Sequence, residues 1–156
     1  LLRSSLTLVA LVAAQPGHTE ICDPLKKQVS TRNGISAFLQ QETERDVICA
    51  IALMPDGQDS SYCYAIFDYR SPKARDAFER LNTNLSTCFT VQAQDGTGSI
   101  VNHPDSFDQH QFCAPGALLS LSLKDKGNLN QTLVFLRLDG AASANGACGQ
   151  AKSSKK

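Results

Sequence analysis

The residues best suited to chemistry gather in one stretch, Asn102-His103-Pro104-Asp105-Ser106-Phe107-Asp108-Gln109-His110. Two imidazoles, two carboxylates and a hydroxyl within nine residues are donors that hold a divalent metal or exchange protons with a substrate. Their spacing argues against both. His103 and His110 are not at i, i+4, and Pro104 prevents a continuous helix. On a strand, residues seven apart face opposite sides. Pro-Asp-Ser is also ordinary turn chemistry, in which the proline presets φ and the short polar side chains bond their own backbone. His103, Asp105, Ser106, Asp108 and His110 are therefore read as a turn able to hold a ligand. A hydrolytic or metal-dependent site built on His103, Asp105, Asp108 or His110 is the alternative.

His110-Gln111-Phe112-Cys113 resembles half of a zinc site, but no Cys-x-x-Cys or His-x-x-x-His completes it, so no metal or other cofactor is expected. Phosphate-loop, nucleophile-elbow and His-Glu-x-x-His patterns do not occur. Asn84-Leu85-Ser86 and Asn130-Gln131-Thr132 match the glycosylation pattern, the first with its Leu85 on the apolar face of a helix.

Six cysteines, Cys22, Cys49, Cys63, Cys88, Cys113 and Cys148, lie downstream of an export-like segment. Arg3 precedes the apolar run Leu6 to Val12, and Val12 and Ala14 supply the small residues before a cut after Ala14. Residues 1–14 are thus expected to be a signal peptide. The run is shorter than the roughly 20 apolar residues that cross a bilayer, and no later segment approaches that length, so no membrane span is expected. An exported chain meets an oxidising periplasm or extracellular space, where thiols pair. Cysteines committed to disulfides are unavailable as nucleophiles or ligands.

Setting Arg3 aside leaves fourteen basic residues against fifteen acidic, a net charge near −1. Such a chain has no electrostatic footprint for nucleic acid or anionic lipid. The length suits one domain, 15–140, and beyond Gly140 the composition of Ala, Ser, Gly, Asn and Lys predicts a flexible tail over 141–156.

The elements that would position any site follow from capping and periodicity. Asp23-Pro24 opens a helix, Leu25 and Val29 follow at i, i+4, and Asn33-Gly34 stops or kinks it before Ile35, Phe38 and Leu39. The result is a broken first helix over 24–44, ending in the polar stretch Gln40 to Asp46. Strand-like runs at 47–54 and 62–69 flank Met54-Pro55-Asp56-Gly57-Gln58, the composition of a three-residue hairpin loop. With Met54 opposite Gln58, counting back places Cys49 opposite Cys63 in a non-hydrogen-bonded pair, whose Cα separation of about 4.5 Å a disulfide can span. Ser71-Pro72 opens a second helix, with Ala74, Ala77, Phe78, Leu81, Leu85 and Cys88 along one face and Lys73, Arg75, Asp76, Glu79 and Arg80 along the other. A short strand at 107–113 leads through Pro115-Gly116 to 118–124, and Lys126-Gly127-Asn128 returns the chain to 131–138. Of the fifteen pairings that six cysteines allow, Cys49–Cys63 has a register behind it. Cys88–Cys113 follows from spacing across the glycine-rich 94–99 loop, and Cys22–Cys148 from what remains.

Three strands are largely apolar on both faces, which calls for cover on both sides of the sheet. The expected fold is therefore α+β: four to five mostly antiparallel strands with two main helices in the order α-β-β-α-β-β-β. One helix on each face makes a three-layer α/β/α sandwich, stapled by disulfides. Leu119, Leu121 and Leu123 alternate with Ser120, Ser122 and Lys124, so that strand keeps a wet side. A face left bare would instead serve a protein or small-molecule partner, or a second copy in a homodimer. The function most consistent with these features is a small exported binding or accessory module without catalysis of its own, such as an inhibitor or a chaperone-like envelope factor.

Overall fold

Ser71-Pro72 starts the longest described helix as its composition predicts. The Ser71 backbone is extended, its carbonyl accepts from the Ala74 and Arg75 N–H groups, and its hydroxyl makes no cap bond. The computed structural model describes residues 18–53, 59–92, 107–140 and 148. Its elements are α1 (His18–Gln28), α2 (Arg32–Thr43), β1 (Val47–Leu53), β2 (Asp59–Asp68), α3 (Pro72–Cys88), β3 (Thr90–Gln92), β4 (Phe107–Ala114), β5 (Ala117–Lys126), a 3-10 turn (Gly127–Leu129) and β6 (Gln131–Asp139). The strands form one antiparallel sheet in the order β1-β2-β6-β5-β4-β3. The class is α+β, with six strands and three helices rather than four to five and two. The strand not expected is β3, three residues paired to β4 directly after α3.

The broken first helix divides earlier than Asn33-Gly34. Thr31 caps α2, its Oγ1 accepting from the Gly34 N–H at 3.1 Å, and α2 ends at Glu44 in the left-handed region. Gly34 lies inside α2 because the chain needs its missing Cβ: one there would run into the Gln28 carbonyl at the end of α1. Pro24 lies within α1 instead of opening it. A proline there forgoes one helical hydrogen bond. The Cys22–Cys88 disulfide holds the turn before Pro24 against the end of α3.

Helices α1, α2 and α3 sit on one side. Alternation and register bring Cys63, Ala65 and Phe67 of β2, Val134 and Leu136 of β6, Leu119, Leu121 and Leu123 of β5 and Phe112 of β4 onto a single face. That face carries the core, with Ile35, Phe38 and Leu39 from α2, Ala77, Phe78, Leu81 and Leu85 from α3, Leu25 from α1 and Val29 just after it. Each fully buried leucine or phenylalanine contributes about 1.5–3 kcal/mol. Both main helices therefore cover the same face, which corrects the expectation of one on each. The opposite face carries none of α1, α2 or α3, and the one described helical residue on it is Cys148, held there by its bond to Cys113. The aromatic residues of this face cover one another across strands.

The β1–β2 register sets Leu53 opposite Asp59 and Cys49 opposite Cys63, and the latter pair is bonded at a Cα separation of 4.1 Å. The loop at 54–58 that suggested this register lies outside the described residues. The other two bridges correct the expected pairing of Cys88 with Cys113 and Cys22 with Cys148. Cys22 bonds Cys88, and Cys113 bonds Cys148. The reason is sidedness. Cys88 packs against the core on the helical side, whereas Phe112 fills that side of β4 and turns Cys113 to the other. The β4–β5 hairpin turns through Pro115-Gly116, where Gly116 supplies φ +69. No described helix is long and apolar enough to cross a membrane.

Candidate functional site

Of the five residues singled out from the sequence, His103, Asp105 and Ser106 lie outside the described residues. Asp108 and His110 stand two apart on β4, both facing α3. The His110 ring packs on Phe78 at 5.6 Å, and its Nε2 lies 4.0 Å from Asp108 Oδ1. Arg75 Nη1 reaches Asp108 Oδ2 and Glu79 Oε1, each at 3.9 Å. Contacts this long, on side chains about half exposed, are solvated ion pairs worth little. They resemble the surface network expected of the charged face of α3 more than a proton relay. No group of three His, Cys, Asp or Glu side chains that could hold a metal occurs among the described residues.

A second polar locus arises where two stretches distant in sequence meet. The end of α2 and the loop to β1 (Glu42, Glu44, Arg45) face the first turns of α3 (Lys73, Asp76, Arg80) across an open cleft of about 770 Å³. Arg80 Nη2 donates to the Glu42 carbonyl at 2.8 Å, and Arg45 lies over the Phe67 ring at 5.0 Å. The cations are thus partly spent on holding α2 to α3. Cations and acids alternate around an open rim, and none of the side chains named is a nucleophile.

The face opposite α1, α2 and α3 is different in kind. Register places Tyr62 and Tyr64 of β2 beside Arg137 and Phe135 of β6, and Phe135 beside Ser122 of β5. The Phe135 ring stacks on Tyr62 at 5.2 Å and on Tyr64 at 6.1 Å, with interplanar angles of 17° and 10°. Lys124 lays its ammonium over Phe135, 3.8 Å from the ring centre, and 5.7 Å from that of Phe107. Ile48 and Phe107, 48% and 54% exposed, extend the apolar strip to its two sides. The three central rings remain half-buried.

Lys124 is the electrostatic oddity of this face. Burial pushes its pKa below the ordinary 10.5, and the neighbouring charges of Arg137 and Lys126 push it the same way. It has no ion pair with any described carboxylate. The acid that shares the face, Asp139, is engaged by Arg137, whose Nε and Nη2 donate to its Oδ2 at 2.9 and 2.7 Å. Asp139 Oδ1 and Ser60 Oγ, on paired residues of β6 and β2, are buried without a hydrogen-bond partner. A desolvated cation on an aromatic floor is attracted to the ring quadrupole by about 0.5–2 kcal/mol, but its own lost hydration is not fully replaced.

The turn end of the β5–β6 hairpin that carries Lys124 and Phe135 is pinned from the helical side. Thr132 Oγ1 donates to Asp125 Oδ1 at 2.6 Å and accepts from the Arg70 N–H at 2.7 Å. Arg70, at φ 52 in the turn before α3, also places its Nε 3.3 Å from Asp125 Oδ2.

Sequence reasoning did not single out Tyr62, Tyr64, Phe135 or Lys124. The alternation and the β5–β6 hairpin were visible, but the β2–β6 pairing that brings Tyr62 and Tyr64 beside Phe135 is long-range. No protein-family model matches the chain, and no curated protein matches it.

Proposed function

We propose that the chain is a small exported binding or accessory module, disulfide-stabilised and without catalysis of its own. It engages a protein partner through the sheet face opposite α1, α2 and α3. The observation that carries this reading is Lys124: a half-buried ammonium with no ion pair to a described carboxylate, set on a strip of Phe135, Tyr64, Tyr62 and Phe107. A partner offering a carboxylate among apolar side chains would satisfy the charge and bury the rings in one step. Central aromatic residues ringed by polar ones are the composition of binding hot spots. Such a surface suits an inhibitor or a chaperone-like envelope factor. The apolar leader expected at 1–14 and three disulfides support export to a periplasm or an extracellular space. A hydrolytic or metal-dependent enzyme using the 103–110 stretch has, among the described residues, only Asp108 and His110 to draw on, and they lie on the other side of the sheet.

The test uses the disulfide-bonded chain as bait for a periplasmic or secreted protein fraction. A captured partner is identified by mass spectrometry and then titrated against variants. Lys124→Glu and Tyr64→Ala are expected to weaken binding by about 30-fold or more, the size of a hot-spot loss. Arg80→Ala, in the cleft on the helical side, should bind as the parent does. Loss of binding in Arg80→Ala with Lys124→Glu unaffected would overturn the assignment.

A further inference from the structure

Strand β1 closes one end of the sheet, and no described strand lies on its outer side. It pairs with β2 alone, and no backbone hydrogen bond runs from its outer edge to another described residue. Which groups point outward follows from the Cys49–Cys63 pair. A Cα separation of 4.1 Å marks a non-hydrogen-bonded pair, in which N–H and C=O turn away from the partner strand. With the alternation of an antiparallel ladder, Val47, Cys49, Ile51 and Leu53 present their N–H and C=O to the open edge.

Nothing in β1 blocks pairing. Edge strands are normally blunted by a charge, a proline, a bulge or shortness. Val-Ile-Cys-Ala-Ile-Ala-Leu has neither charge nor proline, and it pairs along its whole length without a bulge. Ile48, Ile51 and Leu53 are 48%, 52% and 74% exposed. The other end of the sheet is the three-residue β3, too short to serve as the complementary edge.

We propose that β1 pairs antiparallel with β1 of a second copy of this chain, across a two-fold axis at Ala50. The strand is complementary to itself in that register. Val47 falls opposite Leu53 and Cys49 opposite Ile51, so all four outward-facing residues of each copy meet outward-facing residues of the other as hydrogen-bonded pairs. Ile48 meets Ala52, large against small, on the face opposite α1, α2 and α3, and the exposed Ile51 and Leu53 are covered on the other. Two uncharged strands bring no like charges together. The axis is perpendicular to the sheet, so the two faces opposite α1, α2 and α3 lie on the same side. The pairing rests on the backbone edge of β1 rather than on Lys124 and the central rings, so it stands or falls independently of the proposed partner face.

Sedimentation equilibrium combined with amide hydrogen exchange, on the disulfide-bonded chain over a concentration series, tests the pairing. The mass should rise from one chain to two. Over the same range the amides of Cys49, Ile51 and Leu53 should gain protection of about tenfold or more, while those of Ile48, Ala50 and Ala52, already bonded to β2, change little. Ala50→Lys, which sets two cations face to face at the axis, should weaken the dimer by about tenfold or more and leave thermal unfolding of the dilute protein unchanged. A chain that stays monomeric to its solubility limit overturns the proposal. So does a dimer in which the Cys49, Ile51 and Leu53 amides stay unprotected, the signature of association through a sheet face.

Discussion

Replacing Gly34 by alanine sets two effects of opposite sign against each other. Gly34 is the third residue of α2, and inside a helix alanine is favoured over glycine by about 1 kcal/mol. Against that, a Cβ at Gly34 overlaps the Gln28 carbonyl oxygen and falls 2.5 Å from its carbon and 3.0 Å from Thr31 Oγ1. Unbonded carbons ordinarily approach no closer than about 3.5 Å, so α1 must withdraw from α2 by on the order of 1 Å. The first two obstacles are backbone atoms that no rotamer change moves. The withdrawal pulls Leu25 and Val29 from the core and disturbs the Thr31 cap. Overpacking costs about 1–3 kcal/mol and a weakened cap up to about 1 more, so the net expectation is a loss of roughly 2 kcal/mol. Urea unfolding with the disulfides intact measures it, provided the slope is unchanged. Asn33→Ala, exposed one residue earlier, carries the propensity gain without the clash and should stabilise slightly. A Gly34→Ala protein as stable as its parent, or more stable, would refute the close approach of α1 to α2.

Thr132→Val removes the hydroxyl that joins Arg70 N–H to Asp125 and should cost about 2–3 kcal/mol in the same assay, with Thr132→Ser recovering most of it. Equal losses in both variants would show that packing, not the hydroxyl, matters there. His110→Ala and Asp108→Asn should each stay within about 0.5 kcal/mol of the parent, and calorimetry should detect no stoichiometric zinc binding. A zinc site lost in either variant would revive the enzyme alternative. The burial that lowers the Lys124 pKa, aided by Arg137 and Lys126, makes the unfolded chain bind more protons between the folded pKa and 10.5. Stability from this residue is therefore lowest below the folded pKa and rises as the pH climbs towards 10.5. Lys124→Met should lack that rise when urea midpoints of the two proteins are compared, and parallel curves would contradict the desolvated lysine.

Local signals carried much of the fold. Ser71-Pro72, the i, i+3 and i+4 spacing from Ala74 to Leu85, and the Pro115-Gly116 turn act within a few residues, and each matches an observed element. The Cys49–Cys63 bond was legible for the same reason, since a short hairpin loop determines its own register. Sidedness was not legible. That Phe112 faces the core, so Cys113 cannot meet Cys88, depends on which face of β4 the helices cover. The same blindness set one main helix on each face: α2 and α3 share one side, and Tyr62, Tyr64 and Phe135 stack on one another and stay half-buried. Pro24 and Gly34 show the limit of local rules. One sits inside a helix it was expected to open, and the other serves a helix–helix contact rather than a helix end. The partner face and the α2–α3 cleft both join residues far apart in the chain, which no local pattern announces.

Amine-reactive footprinting of the partner-bound protein tests the central claim most directly. In the free protein Lys124, with its lowered pKa, and the exposed Lys73 on the helical side should both be acylated. Saturation with the captured partner should protect Lys124 and leave Lys73 as reactive as before. Protection of Lys73 with Lys124 still reactive would place the partner on the helices and contradict the account.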